Sequence, residues 1–339
     1  MFETIENAVK HLQAAQKEIA DALDMAAIEA LVVMIEVMLN QEDEEWATLS
    51  EEQRTAIVAM IDDAAFDGMT AELKRQVLQL LLVATMREDG LQANYQVTPD
   101  AIGMWVGFLA EQFTAQNATA NLLDLTVGTG NLLATVQQVL AQQGNTLTIN
   151  GVENDDTMLT VASGMAALLG FDWQLTLADA VASELPTDQD IVVADLPVGY
   201  YPAEVPSHFV TTAEDGLTYV HHLLIEQAVN ALRPGGLAAI IVPANLFETE
   251  QAQSLLKYLQ SENVYFQALL QFPDKLFANK AAAKAILVLQ RVGGDAIQAT
   301  PVMLAKTPEL TNVAENKDFV TEMTAWMTAN HMLHAQSYD

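Results

Sequence analysis

The feature that most constrains the fold is a change of hydrophobic pattern near residue 121, where short apolar runs begin to alternate with helical segments. The pattern predicts strands at 122–126, 146–152, 173–177, 191–194 and 237–242, and helices at 132–142, 157–169, 217–232 and 248–260. The run Arg233-Pro234-Gly235-Gly236 is a helix stop signal after the third of these helices. Such alternation predicts a doubly wound, mostly parallel α/β sheet that binds ligands at the carboxyl ends of its strands.

The regions on either side of this alternation set the domain organisation. Two more apolar runs, 264–271 and 283–292, have only a loop between them, which predicts an antiparallel edge and brings the sheet to seven strands. Residues 1–95 have helical spacing, with segments at 26–39, 51–61 and 71–87 and an acidic break at 42–45. Beyond residue 293 only 319–334 has a helical pattern. We therefore predict an all-helical domain at 1–95, an α/β domain at 96–292 and a short C-terminal extension at 293–339.

The charge of the chain is strongly acidic, with 14 Lys and Arg residues against 45 Asp and Glu residues and a net charge of −31. There is no Lys or Arg between Arg87 and Arg233. Duplex DNA is bound largely through neutralisation of its phosphates by Lys and Arg, so this distribution counts against tight DNA binding by the chain alone. The simpler interpretation is that an acidic surface keeps the protein soluble.

Several classes of site and location are disfavoured by composition. The chain has no cysteine, which excludes a disulfide framework and a thiolate metal site. His221 and His222 are adjacent, so on a helix they face different directions, and we expect no metal site. The acidic start does not resemble a secretory signal, and the apolar run 26–39 is too short to span a bilayer. We expect a cytoplasmic protein that does not bind membranes.

A glycine-rich turn after the first predicted strand carries the strongest chemical signal. It reads Asp124-Leu125-Thr126-Val127-Gly128-Thr129-Gly130-Asn131, and its glycines let the backbone approach a ligand closely. Glu153 ends the second strand, where a carboxylate can accept both hydroxyls of a ribose, and Asp179 ends the third. Each acid could instead cap a helix. Three acids at successive strand ends favour a nucleoside-bearing cofactor. A nicotinamide-dependent oxidoreductase fits less well, because Leu133 stands where its motif has glycine.

From residue 95 to 292 the chain resembles the class I S-adenosylmethionine (SAM)-dependent methyltransferases, specifically the N6-adenine DNA methylases related to type I modification subunits, and within them the YtxK-like proteins. The resemblance implies a Rossmann-like methyltransferase domain at 96–292 with SAM as its cofactor. It assigns the methionine end of SAM to a Thr-Pro pair, the ribose to Glu153 and the adenine to Asp179. The cofactor residues so assigned are Thr98, Pro99, Asp124, Thr126, Gly128, Gly130, Asn131, Glu153, Asn154, Asp179 and Ala180.

The catalytic motif of these methylases is Asn or Asp, Pro-Pro and an aromatic residue after the fourth strand. Here the sequence is Asp195-Leu196-Pro197-Val198-Gly199-Tyr200-Tyr201. The resemblance implies that Asp195 and the carbonyl of Leu196 accept the two N–H bonds of an exocyclic amine, with Pro197 completing the loop. Val198 replaces the aromatic residue, so Tyr200 or Tyr201 would have to stack on a flipped-out base.

Three functions therefore stay open. The first is an N-methyltransferase that acts on adenine N6 in DNA, with recognition of the DNA supplied by a partner. The second is a methyltransferase for RNA or protein. The third is a non-catalytic SAM-binding or protein-interaction module with a degenerate catalytic loop, whose N-terminal helices would form a homodimer or bind a protein partner. A local basic group of Lys275, Lys280 and Lys284 is interpreted either as substrate contacts or as an ordinary exposed loop.

Overall fold

The computed structural model describes residues 2–41, 43–90, 97–277, 282–309 and 311–333. Its helices are α1 Phe2–Leu23, α2 Ala27–Met38, α3 Glu44–Thr48, α4 Glu51–Asp63, α5 Ala71–Glu88, α6 Asp100–Phe113, α7 Asn131–Gln142, α8 Asp156–Leu169, α9 Val220–Ala231, α10 Ala252–Leu259 and α11 Val313–Ala329. Its strands are β1 Thr119–Asp124, β2 Thr146–Glu153, β3 Trp173–Leu177, β4 Gln189–Asp195, β5 Leu232–Pro243, β6 Val264–Gln271, β7 Lys284–Arg291 and β8 Met303–Lys306.

The chain divides into two compact units that do not follow the sequence in single blocks. The first comprises Met1–Thr98, Val127–Ala134 and Asp155–Leu177. The second comprises Pro99–Thr126, Thr135–Asn154 and Ala178–Asp339. In the residues that the structure describes, no helix combines the length and apolarity needed to cross a bilayer.

The first unit is built on the N-terminal helices, which bury a common apolar core together with α8. Leu12, Leu31, Met34 and Leu81 are among its fully buried side chains. The N-cap residue of α2, Ala26, has no side chain that can accept a hydrogen bond, and the carboxylate of Asp89 accepts the N–H groups of Ala27 and Ile28 at 2.9 and 2.8 Å. Because these N–H groups have no partner within the helix, a carboxylate from the end of α5 completes α2.

The second unit is organised by a mixed sheet in which seven strands lie in the order β2-β1-β4-β5-β7-β6-β8. Strands β2, β1, β4 and β5 are parallel, β7 is antiparallel to both β5 and β6, and β8 is parallel to β6. The central strands β4 and β5 are almost continuously buried, as expected for parallel strands covered on both faces.

The predicted α/β fold with a mostly parallel sheet and a helical N-terminal region is confirmed. In the described residues the chain has eight strands, the seven named above and β3, where the sequence predicts seven. The missed strand is β8, which the sequence leaves in an unpatterned extension. It has only four residues and alternates between half-buried and exposed positions, so it lacks an apolar run. The antiparallel pairing of β6 with β7 is also confirmed, but β8 and not this pair forms the edge.

Several predicted boundaries differ from the structure. Helix α9 spans Val220–Ala231 and not 217–232, and the Arg-Pro-Gly-Gly stop signal lies within the start of β5, at an irregularity in its pairing with β4. Helix α11 begins six residues earlier than the predicted 319. Residue 334, its predicted end, lies outside the described residues.

Helix α6 was missed although its sequence carries a helical signal. Its buried residues Ile102, Val106, Leu109 and Phe113 recur at helical spacing after Pro99. The helix packs on α7 in the second unit through two glycines, and the closer approach is that of Gly107 to Val139. A side chain on Gly107 would occupy space that the branched side chain of Val139 already fills.

We predict that Gly107→Ala lowers the free energy of unfolding by about 1–2 kcal/mol, because overpacking outweighs the gain in helix propensity. A Cβ atom at this position would lie 2.9 Å from Val139 Cγ2. Urea unfolding measures the change, and Gly68→Ala is the control, since its added methyl meets no atom within 4 Å. The loss should shrink when Val139→Ala is present, and an unchanged loss in that background would contradict the packing argument.

Candidate functional site

The candidate site lies in the second unit, where the order of the strands reverses along the chain. From β1 the chain continues to β2 on one side, whereas β4 and β5 lie on the other side of β1. Asp124 at the end of β1 is in register with Gly151 of β2 and Val193 of β4. Glu153 and Asp195 therefore each extend two residues beyond the partners of Asp124. In doubly wound sheets the crevice at such a reversal is where ligands bind.

Asp124 is the most unusual group of this crevice because it is completely buried. Its Oδ1 accepts the N–H of Thr126 at 3.0 Å, and its Oδ2 has no hydrogen-bond partner among the described residues. Burial raises the pKa of Asp124 to about 7, and the nearby carboxylates of Glu153 and Asp195 add to the increase while the Thr126 N–H opposes it. The site therefore contains a buried acceptor in a strongly negative environment.

Glu153, which ends β2, and Asp179, which lies two residues after β3, are held by short local hydrogen bonds. Glu153 Oε1 accepts the backbone N–H of Asn154 at 2.9 Å, and the carbonyl of Glu153 accepts the N–H of Ala178 at 2.9 Å. Asp179 Oδ1 accepts the N–H of Val181 at 2.8 Å. These contacts place the Asp179 segment beside the end of β2.

Residue 180 is fixed by a side chain from α9. Gln227 Nε2 donates to the carbonyl of Ala180 at 2.9 Å. Ala180 and Gln227 are both buried, so the backbone after Asp179 is held against the core.

The loop after β4 is anchored to the strands on both sides of it. The N–H of Leu196 donates to the carbonyl of Ile241 in β5 at 3.1 Å, and Thr126 Oγ1 donates to the carbonyl of Asp195 at 3.2 Å. The Asp195 carboxylate forms an ion pair with Lys284, the first residue of β7. Pro197 is half-buried and Val198 is exposed.

The two tyrosines of this loop have different surroundings. Tyr201 is buried, and its hydroxyl donates to Asp179 Oδ2 at 2.7 Å. Burial, together with that bond to Asp179, raises the pKa of Tyr201 to about 12. Tyr200 is 49% exposed and stacks on Tyr219, with ring centroids 4.8 Å apart and planes inclined by 11°. The structure thus offers Tyr200, which stacks on Tyr219, as an accessible aromatic face, whereas Tyr201 holds Asp179.

The start of α9 supports this loop. The N–H of Tyr201 donates to the carbonyl of Thr218 at 2.8 Å, and the N–H of Val220 donates to the carbonyl of Gly199 at 3.0 Å. Tyr219 in turn stacks on His221, with ring centroids 5.1 Å apart.

The two histidines of α9 lie in the core of the second unit. His221 and His222 are buried, and their ring nitrogens have no hydrogen-bond partner among the described residues. Burial lowers the pKa of His221 to about 4, and burial with the neighbouring His221 lowers that of His222 to about 3. Within the described ranges no group of three or more His, Cys, Asp and Glu side chains could hold a metal ion.

The glycine turn belongs to the first unit from Val127 onward. The N–H of Gly130 donates to the carbonyl of Val127 at 2.9 Å. Gly130 has a φ of +85°, and a Cβ atom there would lie 2.7 Å from the ring of Trp173. Gly128 also has a positive φ. The side chain of Asn131 donates to the carbonyl of Thr98 at 2.6 Å, which ties the Thr-Pro segment to the start of α7.

Two contributors were not identified from the sequence. Lys284 was grouped with two other lysines, but Lys275 instead pairs with Glu309 at 2.8 Å, and Lys280 lies outside the described residues. Lys284 reaches Asp195 because β7 pairs with β5, and no local sequence pattern predicts this long-range pairing. Tyr219 was missed because its role depends on the stacking of Tyr200 against it.

Comparison with known proteins identifies the family. The sequence model of the N-6 DNA methylases matches residues 88–332. The chain belongs to the N-6 DNA methylase family. It is 32% identical to the uncharacterized protein YtxK of Bacillus subtilis, over 91% of this chain and 93% of that protein.

Solved structures agree with this assignment of fold. A Listeria monocytogenes protein described as a candidate class I SAM-dependent methyltransferase has a TM-score of 0.84 and 27% identity, covering 96% of this chain and 99% of that one. The methyltransferase subunit of a type I restriction-modification system from Streptococcus thermophilus has a TM-score of 0.61 and 15% identity, covering 93% of this chain and 74% of that one. The latter likeness concerns the fold alone.

The residues present fit SAM, the cofactor that this methyltransferase family implies. SAM carries a positively charged sulfonium and a positively charged ammonium group. The buried Asp124 Oδ2 is an unpartnered acceptor, and Glu153 and Asp195 add negative charge around it. This arrangement of acceptors suits a cationic ligand.

We predict that the free energy of unfolding falls as the pH rises from about 4 to about 7, because Asp124 binds a proton more tightly in the folded state. The pKa of Asp124 is raised from 3.8 to about 7 in the folded protein. The bound proton therefore makes its full contribution to stability below the lower pKa, and this contribution is lost as the pH rises through the higher one. The shift corresponds to at most about 4 kcal/mol. Asp124→Asn should reduce the fall between pH 5 and pH 8.

Urea unfolding at a series of pH values measures this effect. Asp318→Asn removes an exposed carboxylate and serves as the matched control, with an expected slope like that of the unchanged protein. Equal slopes for the unchanged protein and Asp124→Asn would show that Asp124 does not titrate in this range.

Proposed function

We propose that this chain is a SAM-dependent N-methyltransferase that transfers a methyl group to the exocyclic amine of an adenine base, by resemblance adenine N6 in DNA. The observation that carries the proposal is the position of Asp195. It ends β4 beside the strand reversal, next to the buried Asp124, and its loop presents the exposed ring of Tyr200.

The proposal retains the cofactor residues assigned from the sequence. In the second unit these are Asp124, Thr126, Glu153, Asn154, Asp179 and Ala180 together with Pro99, and in the first unit Thr98, Gly128, Gly130 and Asn131. Glu153 is suited to accept two ribose hydroxyls and Asp179 to contact the adenine ring. When bound, SAM supplies an electrophilic methyl group on its sulfonium.

The catalytic task of this chain is to make an exocyclic amine nucleophilic. The lone pair of such an amine is delocalised into the ring, so the nitrogen must become more tetrahedral before it reacts. The Asp195 carboxylate and the Leu196 carbonyl would accept its two N–H bonds, and Asp195 would take the proton that the methylated nitrogen loses. Pro197 fixes the chain direction between this acceptor pair and Tyr200, on which the base stacks. Tyr201 contributes indirectly by holding Asp179.

The charge of the chain supports the further proposal that a second protein takes part in duplex recognition. In the second unit Arg233, Lys257 and Lys275 pair with Asp190, Glu214 and Glu309, and Arg291 donates to the carbonyls of Asn230 and Leu232. Such pairs reduce the positive charge available to phosphates, and duplex binding depends on that charge. We propose that the chain binds DNA weakly by itself. The N-terminal helices would contact a partner subunit or a second copy, in the cytoplasm.

A second candidate function is a SAM-binding module without transfer. Two observations favour it: Val198 stands where the methylases have an aromatic residue, and Lys284 occupies one oxygen of the Asp195 carboxylate. RNA and protein remain alternative acceptors in the same experiment.

We predict that Asp195→Ala reduces methyl transfer by about 10²- to 10⁴-fold, because the amine loses its acceptor and its base. The assay measures labelled methyl transferred from SAM to separate pools of unmethylated DNA, RNA and cell protein. Asp195→Asn is the matched control, because it retains a side-chain acceptor, as in the Asn-containing methylases, and loses only the base. It should keep measurable transfer, above that of Asp195→Ala. Calorimetry on the same samples should show that the dissociation constant for SAM stays within about threefold of that of the unchanged protein, a change in binding free energy of less than about 1.4 kcal/mol.

The pool that gains label decides between the acceptors. Label in DNA that is lost in Asp195→Ala supports the proposal, and label confined to RNA or protein replaces its acceptor. SAM binding without label in any pool supports the binding-module alternative.

We also predict that SAM affinity increases with pH, because the ionised form of Asp124 binds a cation better than the neutral form. With a pKa of about 7, Asp124 is mostly neutral at pH 6 and mostly ionised at pH 8. The dissociation constant for SAM should fall by up to about tenfold over this range, because the ionised fraction of Asp124 increases about tenfold. Calorimetry checks this, and Asp124→Asn should remove most of the pH dependence. A pH-independent affinity of the unchanged protein would contradict the assignment.

A further inference from the structure

Lys284 occupies a position that differs from that of the other paired lysines. It is the first residue of β7, opposite Pro243 of β5, and β5 itself pairs with β4 so that Ile241 is in register with Asp195. The side chain of Lys284 therefore reaches across the end of β5 to the Asp195 carboxylate. This ion pair brings an ammonium group to the carboxylate proposed to hold the acceptor amine.

The surroundings of this pair make it more than an ordinary surface contact. The side chains of Lys284 and Asp195 are 29% and 12% exposed, whereas those of Lys257 and Glu214 are 63% and 80% exposed. Exposed pairs contribute little to stability and are free to rearrange. A largely buried pair at the rim of the sheet holds its donor and acceptor in one arrangement.

The hydrogen-bonding groups of Lys284 and Asp195 suit a base that carries an exocyclic amine next to a ring nitrogen. A lysine ammonium has three N–H donors and a carboxylate has about four lone-pair sites, so each group can bind the other and a third partner. Side by side they offer one donor and one acceptor, like the amide of Asn or Gln, which binds adenine through N6–H and N7.

We propose that Lys284 and Asp195 together determine the acceptor, with Asp195 accepting N6–H and Lys284 donating to the adjacent ring nitrogen of adenine, N7 or N1. This inference rests on the proposed function and assigns its substrate specificity. Guanine presents two acceptors on its major-groove edge and would face the carboxylate unfavourably. If the substrate were a protein, the ammonium group of its lysine would have no ring nitrogen for Lys284 to bind and would be repelled by the charge of Lys284. The pair therefore selects a neutral amine beside an acceptor nitrogen.

A purely electrostatic role for Lys284 makes a different prediction. The ammonium could simply offset the negative charge of Asp124, Glu153 and Asp195. Its loss would then change stability, cofactor affinity or transfer to every acceptor in the same proportion. Only a direct contact between Lys284 and the base makes the effect of losing Lys284 depend on which ring nitrogens the substrate base carries.

The experiment compares single-stranded oligonucleotides that contain adenine, 7-deazaadenine or 1-deazaadenine at the same positions. Each deaza base keeps the amine and loses one ring acceptor. For the unchanged protein, kcat/KM for methyl transfer should fall by about 10- to 100-fold on one of the two deaza substrates, the range expected for loss of a direct base contact. Lys284→Met removes the donor, so its rate on adenine should fall to about the rate on that deaza substrate.

Lys275→Met is the matched control, because Lys275 is an exposed lysine whose ion-pair partner is Glu309 and not Asp195. It should retain the preference of the unchanged protein. SAM affinity of each variant, measured by calorimetry, shows whether the fold and cofactor site are intact. The comparison of deaza substrates on the unchanged protein needs no variant and remains decisive if Lys284→Met does not fold.

The outcomes separate this inference from the proposed function. Transfer to adenine that depends on Asp195 but is equal on all three substrates overturns the role of Lys284 alone. A preference that survives in Lys284→Met does the same. Absence of transfer to adenine, or label in protein only, overturns both.

Discussion

The burial of the Asp124 carboxylate at the strand reversal is the constraint around which the second unit is arranged. A fully buried carboxylate with one unpartnered oxygen costs free energy, and its raised pKa reports that cost. The parallel strands on either side bring Glu153 and Asp195 to the same edge and increase the cost. A cationic ligand would reverse this balance. This electrostatic arrangement is unfavourable by itself and would favour a positively charged ligand.

The remaining contacts of the site hold side chains in place around that carboxylate. Tyr201 binds Asp179, Gln227 binds the backbone after it, and Lys284 binds Asp195. These groups come from the loop after β4, from α9 and from β7, so the site depends on elements that are far apart in sequence. Because each holds an acid or its backbone, substitutions there affect the position of negative charge more than its amount.

Acidity limits what the chain can do without help. The net charge of −31 and the ion pairs of Arg233, Lys257 and Lys275 disfavour tight binding of duplex phosphates by this chain alone. Recognition of a base edge, by contrast, requires only one donor and one acceptor at the correct spacing. The proposed division of labour, with base selection in this chain and backbone binding elsewhere, follows from that difference.

The sequence by itself determined the order of strands and helices, the glycine turn and the acids at the strand ends, because hydrophobic periodicity and turn residues act over a few neighbouring positions. It did not reveal β8, whose four residues lack an apolar run, although the apolar residues of α6 do recur at helical spacing. Only the tertiary structure decided which tyrosine is exposed and which is buried, and that Lys284 meets Asp195. These facts depend on the insertion of β7 beside β5 and on the docking of α9, which are long-range pairings that no local pattern encodes.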